Sequence, residues 1–444
     1  MAERGKCLIE NEVNGLQTDV LIIGGGVAGL TLALKLVKRR VNVTIVEKDP
    51  TLGRTYKGEL IQPKTISIFK KMGLLETLNQ DWRPLQEIRA KEVVDDRILV
   101  DATMSYRVLE QGEDYAAMMP HNLLKKRLLD EAQTFPTFTL LRPAVFEKME
   151  SAHKAIVRMD KERAVIKSQF VIGAEGVASK LRSYMNVDFK RKFYNHDFLT
   201  VSFPSPESLT KGEMIGTPKR FLGLFPLPEG RVRSVYLIKK GEFKEWRKGS
   251  IQKFYSHYTS LMPELEGFVH QVPSWREIQL MVPVRLNVRR YVDRNMALLG
   301  DAAHSVHPMA GEGMNMAIQD ADVLGELIAD LFEAGREEKV DELKQYEHVR
   351  KKRVRFLTAL SHVSALMYGI GGEKWQRARA LAILRLVQRE VLQGKYMYNV
   401  SGLGMWGPSL LDGLQVIGLG KGQLRRQTMK QKTFSRLDDY PWQK

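Results

Sequence analysis

The sequence predicts an α/β protein, with a parallel-sheet domain assembled from separated stretches of chain, an inserted antiparallel-sheet domain and a helical C-terminal region. Three observations carry that prediction. "DVLIIGGGVAGLTLALKLVKRRVNVTIVEKD" has the order strand, glycine turn, helix, strand. An apolar run closing on glycine returns at "FVIGAEG" and again at "MALLGDAAH". Between those two the text is sheet-like, most clearly in "RFLGLFPLPEGRVRSVYLIKK", two strands about a turn at Glu229-Gly230.

Taken in order, residues 1–16 read as a loose leader. Asp19 to Ile23 is an apolar run of the kind a parallel strand buried on both faces requires. The helix after it runs from Gly29 to Lys38, with Leu30, Leu34 and Val37 at helical spacing, and "VNVTIVEKD" is the next strand. Gln62-Pro63 opens a further helix, since proline suits a first turn, and Gly73 closes it. Short β-like runs occupy residues 87–115, and "HNLLKKRLLDEA" is helical. After residue 340 the chain is helical and basic, and the last thirty or so residues, rich in Gly, Lys, Arg and Gln, are expected to be poorly anchored. The division that results is 17–80, 116–184 and 283–345 for the discontinuous α/β domain, 81–115 and 185–282 for the sheet domain, and 346–444 for the helical basic region.

With 444 residues, 43% of them hydrophobic, the chain is long enough for more than one layer or domain. Its single cysteine, Cys7, excludes an internal disulfide and a cysteine-based metal cage. The formal charge of +17 fits either surface solubility or an anionic partner, and no nucleic-acid module appears. No secretory leader and no run of eighteen apolar residues is found, so the expected location is cytoplasmic.

Gly24, Gly26 and Gly29, with Val27 and Ala28 between them, fit G-x-G-x-x-G. In that pattern the first glycine makes the turn, the second admits a pyrophosphate to backbone N–H groups, and the third lets helix and strand pack closely. Glu47, followed by Lys48, closes the second strand about twenty residues on, where a carboxylate can bond both ribose hydroxyls of an adenosine. A 2′-phosphate would meet that carboxylate as a second negative charge, so the ligand is FAD or NAD rather than NADP. A second glycine-rich loop, Gly300-Asp301 through Pro308 to Gly311, Gly313, Met314 and Asn315, also ends in a helix start. One short nucleotide needs only one such loop; FAD can use both.

Gly300-Asp301-Ala302-Ala303-His304, then Pro308, Gly311, Gly313, Asn315 and Asp320-Ala321, resemble the GD motif of the FAD-dependent aromatic hydroxylases, the group that includes p-hydroxybenzoate and ubiquinone-pathway hydroxylases. The resemblance runs discontinuously over residues 18–326. It implies that the late loop holds the ribitol and flavin ring, and that NADPH or NADH acts as a transient co-substrate, since no second βαβ fingerprint is present. The implied reaction is O2-dependent hydroxylation of an aromatic, prenylated or quinone-like substrate through a flavin C4a-hydroperoxide. Glu175-Gly176 stands where the family has Asp-Gly, with Arg182 matching the basic residue after it. Arg54 resembles the arginine that reaches the flavin side, and His121 stands where arginine or glutamine is usual. Arg54, His121 and Tyr236 are the candidates for a role in catalysis, and each also has a plain structural reading. His304 and His307 flank the flavin loop, where hydrogen bonding explains them better than metal ligation, and Glu312 reads as a solvated loop group. No metal is expected.

Residues 58–76 also resemble squalene epoxidases and membrane-associated quinone hydroxylases. That keeps two alternatives open, a flavin epoxidase of an apolar alkene and a flavin-dependent isoprenoid reductase. It also raises peripheral membrane contact through the basic C-terminal stretch, residues 375–391 and the "MWGPSLLDGLQVIGLGKGQLRRQ" that follows; a helix covering the core is the rival reading. A flavin halogenase would carry a W-x-W-x-I-P stretch, which is absent.

Overall fold

Consecutive branched apolar residues make Gln17–Ile23 a strand buried on both faces, with Val20, Leu21 and Ile22 wholly inaccessible. It sits inside an eight-stranded sheet whose main path is Val292–Asp293, Met296–Leu298, Glu162–Gly173, Gln17–Ile23, Val43–Val46, Phe138–Leu141, with Lys154–Met159 and then Val145–Ser151 branching antiparallel from Glu162–Gly173. From Met296–Leu298 to Phe138–Leu141 all neighbours run parallel. The structure, a computed structural model, describes residues 15–53, 58–95, 97–109, 112, 114–407, 409, 412–413 and 433–443. Helices Val27–Val37, His121–Ala132 and Gly313–Glu333 cover the sheet and share its apolar core.

The glycine turns expected from sequence are present. Val27–Val37 follows the first loop, Pro63–Lys71 has Gln62 as its N-cap, and Gly73 leaves that segment at φ 72°. Strands Phe221–Leu227 and Arg231–Lys239 pair across Glu229 and Gly230, both in the left-handed region that tight hairpins demand.

A seven-stranded sheet takes its strands from Glu87–Val94, Arg97–Ser105 and the stretch His196–Pro204 to Gln279–Met281. It is antiparallel except where Gly212–Gly216 runs parallel to Glu87–Val94. One face packs on helices Glu242–Trp246 and Gln252–Thr259; the other faces the late glycine loop.

The C-terminal region folds as Lys344–Gly369, Glu373–Gln388 and Glu390–Val400. Helix Glu373–Gln388 covers strand Arg97–Ser105 through Ala380 and Ile383 against Val100 and Ala102, so this part of the basic stretch does form a core-covering helix. The expectation of a poorly anchored end is corrected for Thr433–Gln443. Asp439 is buried between Lys64 and Arg353, the Tyr440 hydroxyl donates to Asp322 (2.7 Å) and Trp442 Nε1 donates to Asp330 (2.8 Å). Those partners lie far off in sequence, which is why composition alone misjudged the segment. Of the predicted membrane stretch, residues 408, 410, 411 and 414–427 lie outside the described residues. Among the described residues no helix is long and apolar enough to cross a membrane.

Candidate active site

Three glycines of the first loop do different work. A Cβ on Gly24, which has φ 112°, would stand 2.5 Å from the Ala174 carbonyl oxygen, and one on Gly29 would stand 2.0 Å from the Gly24 carbonyl oxygen. Both are required by protein packing alone. A Cβ on Gly26 would meet nothing within 4 Å. Gly26 is the N-cap of Val27–Val37, whose start has no side-chain cap and no acid in its first turn. Unpartnered N–H groups facing open space are what an anionic phosphate requires. Glu47 accepts hydrogen bonds from the N–H groups of Gly25 (2.6 Å) and Asp49 (2.8 Å). A carboxylate so engaged keeps acceptor capacity for hydroxyl groups. Lys48 is exposed beside it. A cleft beside the loop is lined by Gly25, Glu47, Thr51, Lys125 and Arg142. Lys125 and Arg142 carried no local sequence signal, because their nearness depends on the parallel sheet.

The late loop repeats this arrangement. Gly300 has φ 57° and Gly311 has φ 65°, where a Cβ would meet Leu60 at 2.9 Å, whereas Gly313 opens helix Gly313–Glu333 with its nearest neighbour at 3.9 Å. Asp301 is exposed at the strand end; Met314 and Asn315 are buried in the helix's first turn. Asn315 Oδ1 accepts from the Gln62 N–H (2.8 Å), and its Nδ2 donates to the Leu60 and Gly311 carbonyls (both 2.9 Å). Its side chain therefore shapes the loop, leaving the helix N–H groups as the ligand-facing donors. Pro308 starts the single turn leading to Gly311. The open space at Gly26 and the uncrowded glycine at Gly313, both at helix starts with no side-chain cap, fit a cofactor with phosphate at one end and a polar ring at the other.

Other predicted residues are placed as follows. Glu175 caps helix Lys180–Tyr184, accepting from Ser179 Oγ and from the N–H groups of Lys180 (2.9 Å) and Leu181 (3.3 Å). Burial still pushes its carboxyl up. Its described bonds serve this helix, and Gly176 follows it at φ 78°. Arg182 is buried and donates to the carbonyls of Ala302 (2.9 Å) and Val177 (2.6 Å), tying that segment to the late loop. His121 begins helix His121–Ala132 with Nδ1 3.2 Å from the Gly58 carbonyl oxygen. Arg54 lies outside the described residues.

Tyr236 is corrected as a catalytic candidate. Its ring packs on Tyr258 (5.3 Å between centroids) and Trp246 (6.2 Å) in the core beneath the sheet's helices. Side chains alternate along a strand, so its neighbours Val235 and Leu237 face the other way. That other face holds Phe198, Phe221 and Leu237, with Met214, Met281, Tyr368 and Met309 of the late loop packed against them. That cluster is apolar, and Arg233, on the same side of the strand as Val235, is paired with the buried Glu59 (2.7 and 2.8 Å).

Both histidines of the loop have protein partners. His304 Nε2 bonds Asp320 (2.6 Å), which also accepts from the Gly300 N–H (2.9 Å) and from the wholly buried Arg350 (2.6 Å). Burial opposes the charge on Asp320, but His304 and Arg350 hold its carboxyl below the usual range. His307 Nε2 lies 2.8 Å from Nε2 of His196 on the seven-stranded sheet. Burial, then the neighbouring His196 and His362, pushes His307 down to about 3. Burial lowers His196 too. His196 was missed because nothing local marks a histidine whose partner is on another domain. Glu312 corrects an expectation: it is wholly buried, neither carboxyl oxygen has a hydrogen-bond partner, and burial raises it well above the carboxylate range. Burial favours its neutral form, and it is not a solvated loop group. Among the described residues no group of three or more His, Cys, Asp or Glu is placed to hold a metal.

Comparison with known proteins agrees with this geometry. The profile of the family described as "FAD binding domain" matches residues 17–361. The chain is 26% identical over 411 residues to ubiquinone hydroxylase UbiL of Rhodospirillum rubrum, covering 89% of this chain and 93% of that one. It is also 26% identical over 315 residues to 6-methylpretetramide 4-monooxygenase of Streptomyces rimosus, covering 69% and 74%. Among solved structures, P. aeruginosa PqsL in complex with 2-aminobenzoylacetate superposes with a TM-score of 0.73 at 23% identity, covering 83% of this chain and 99% of that one.

Proposed function

This chain belongs to the FAD-binding-domain family, and on that premise we propose that it is an FAD-dependent monooxygenase that uses NAD(P)H and O2 to hydroxylate an uncharged aromatic, prenylated or quinone-like ring. The observation that carries the reading is the pair of glycines at helix starts with no side-chain cap, Gly26 with open space beyond it and Gly313 with room for no more than an ordinary contact to Val306 (3.9 Å). Bound there, FAD would supply the O2 activation and oxygen transfer, reduced by NADPH or NADH visiting without a domain of its own. The chain supplies position and environment. N–H groups at the start of Val27–Val37 would hold the cofactor's pyrophosphate, and Glu47 and Lys48 its adenosine end. N–H groups at Gly313 and Met314, with Asp301, would hold the flavin end. The apolar face of Phe198, Phe221, Leu237 and Met281 excludes water from the reacting end.

That face also supports the choice of substrate. The buried arginines of the described residues are already engaged: Arg350 with Asp320, Arg379 with Glu92, Arg353 with Asp439, Arg182 with carbonyls. A carboxylate on the substrate would enter without a paired cation, an unfavourable burial. The same face suits an apolar alkene, so epoxidation is the second reading. Peripheral membrane contact belongs to the reading as well, on the cytoplasmic side.

The test is direct. Purified protein carries FAD by its absorbance, oxidises NADPH or NADH when a neutral quinol or phenol is added, and leaves a product heavier by one oxygen atom taken from labelled O2. Reduction of an added alkene without O2 consumption would replace this reading by the reductase one.

A further inference from the structure

Helix Lys344–Gly369 has two unlike faces at its C-terminal end. Its inner face touches the late loop and the substrate sheet: Ser361 Oγ donates to the His307 carbonyl (2.6 Å), and the Tyr368 ring lies 4.7 Å from Phe221. Its outer face presents Val363 and Leu366, one turn apart, with Ile370 following at the helix end; they are 55%, 43% and 42% exposed. Trp375 of the next helix joins this stripe, its Nε1 donating to the Met367 carbonyl (2.9 Å) while much of the ring stays exposed. Scattered exposed apolar residues are ordinary; four large ones around a single helix corner are not.

The charges bordering this corner are largely positive. Tyr194 bonds His362 (3.1 Å), which brings the end of the wholly exposed strand Phe189–Phe193 to the helix beside Val363. That strand carries Lys190, Arg191 and Lys192 and no acid. Lys192 and Arg285 lie close enough to His362 to oppose its protonation, after burial. On the other side stand Lys374 and Arg377, with Glu373 paired to Arg377 (3.5 Å). An apolar stripe with an interfacial tryptophan and a cationic border is complementary to an anionic bilayer.

We propose that the corner formed by Val363, Leu366, Ile370 and Trp375 docks this protein on an anionic membrane surface, so that an apolar substrate passes from the bilayer to the reacting end. Only one helix separates the two: its outer side meets lipid, while its inner side contacts the His307 loop and Phe221, a thickness of about 10 Å. The surface shares only Trp375 with the C-terminal stretch that the sequence suggested. The inference rests on the apolar-substrate oxygenase reading above.

The experiment uses the FAD-loaded full chain, sedimented with vesicles of phosphatidylcholine and of an equal mixture of phosphatidylcholine and phosphatidylglycerol. Binding is expected to the mixture, with little to phosphatidylcholine alone. The triple variant Val363→Ser, Leu366→Ser, Ile370→Ser alters only exposed positions. It is expected to lose vesicle partition at least ~10-fold while keeping FAD absorbance and turnover of a detergent-dispersed substrate. Lys192→Glu with Arg285→Glu should weaken binding to the anionic mixture alone. Three results would overturn the proposal: no binding by the parent protein, unchanged binding by the triple variant, or a parent dimer that the triple variant converts to monomer without any vesicle binding. The last would assign the corner to a second copy of the chain. Loss of FAD or of oxygenation in detergent would count against the oxygenase reading and leave the vesicle result standing by itself.

Discussion

The two glycine loops use the same device and are held together by different means. The first is built mostly from its own βαβ unit, where Gly29 packs on Gly24 and Glu47 accepts from Gly25, with the remote strand end at Ala174 packed against Gly24. The late loop is held from a distance. Asn315 binds Leu60 and Gln62, His307 binds His196 on the other sheet, and Asp320 binds Arg350 of the C-terminal region. On the proposed reading the first loop holds the inert end of the cofactor and can be local and rigid, while the late loop holds the reacting end and is registered by long-range bonds against the seven-stranded sheet and the covering helix together.

The comparison can be broken most sharply at Gly29. Gly29→Val places atoms inside the Gly24 carbonyl, and the folded state is expected to lose about 3 kcal/mol or more, seen as a collapsed thermal transition or insoluble protein. A folded Gly29→Val protein would show that the first loop is less rigid than argued. In the late loop, Arg350→Met leaves Asp320 charged and short of a partner at zero exposure, which should cost about 3–5 kcal/mol in urea denaturation. Gly26→Val separates ligand from fold: its side chain enters open space, so the melting temperature of the FAD-free protein should hold while FAD affinity falls ~100-fold by flavin fluorescence titration.

Acid should sharpen the contrast, because only the late loop depends on neutral histidines. The folded pair binds protons less readily than the unfolded chain, whose histidines titrate near 6.5. Its contribution is therefore complete above about pH 6.5 and is lost as pH falls toward 3, amounting to on the order of 2 kcal/mol by about pH 5. In His307→Gln that part of the pH dependence should disappear. The smallest effect concerns Glu312. Its carboxyl is held neutral in the folded state and ionises in the unfolded chain, so its contribution is present at low pH and lost as pH rises. Glu312→Gln should raise the urea midpoint modestly at about pH 8 and leave it unchanged near pH 4. A lower midpoint at alkaline pH would show that Glu312 has found a partner.

Much of this architecture was legible because it is local. Strand, turn and helix around Gly24 to Glu47 follow from apolar runs and glycine spacing, and so does the hairpin about Glu229-Gly230, where backbone geometry limits the residues that fit. The late loop was recognisable as a motif, but its side chains were not readable. Asn315 and His304 point into the protein, Glu312 is buried rather than solvated, and Tyr236 lies on the wrong face of its sheet. The sequence by itself determined the cofactor class, since phosphate binding depends on a few glycines and a helix start close together in the chain. Only the tertiary structure decided which face of the sheet is apolar, which histidines pair, how the C-terminal strap is anchored and where an apolar corner is left exposed. Each of those depends on which residues remote in sequence are brought within a few ångströms, and a hydrogen bond or a packed ring takes effect only at that distance.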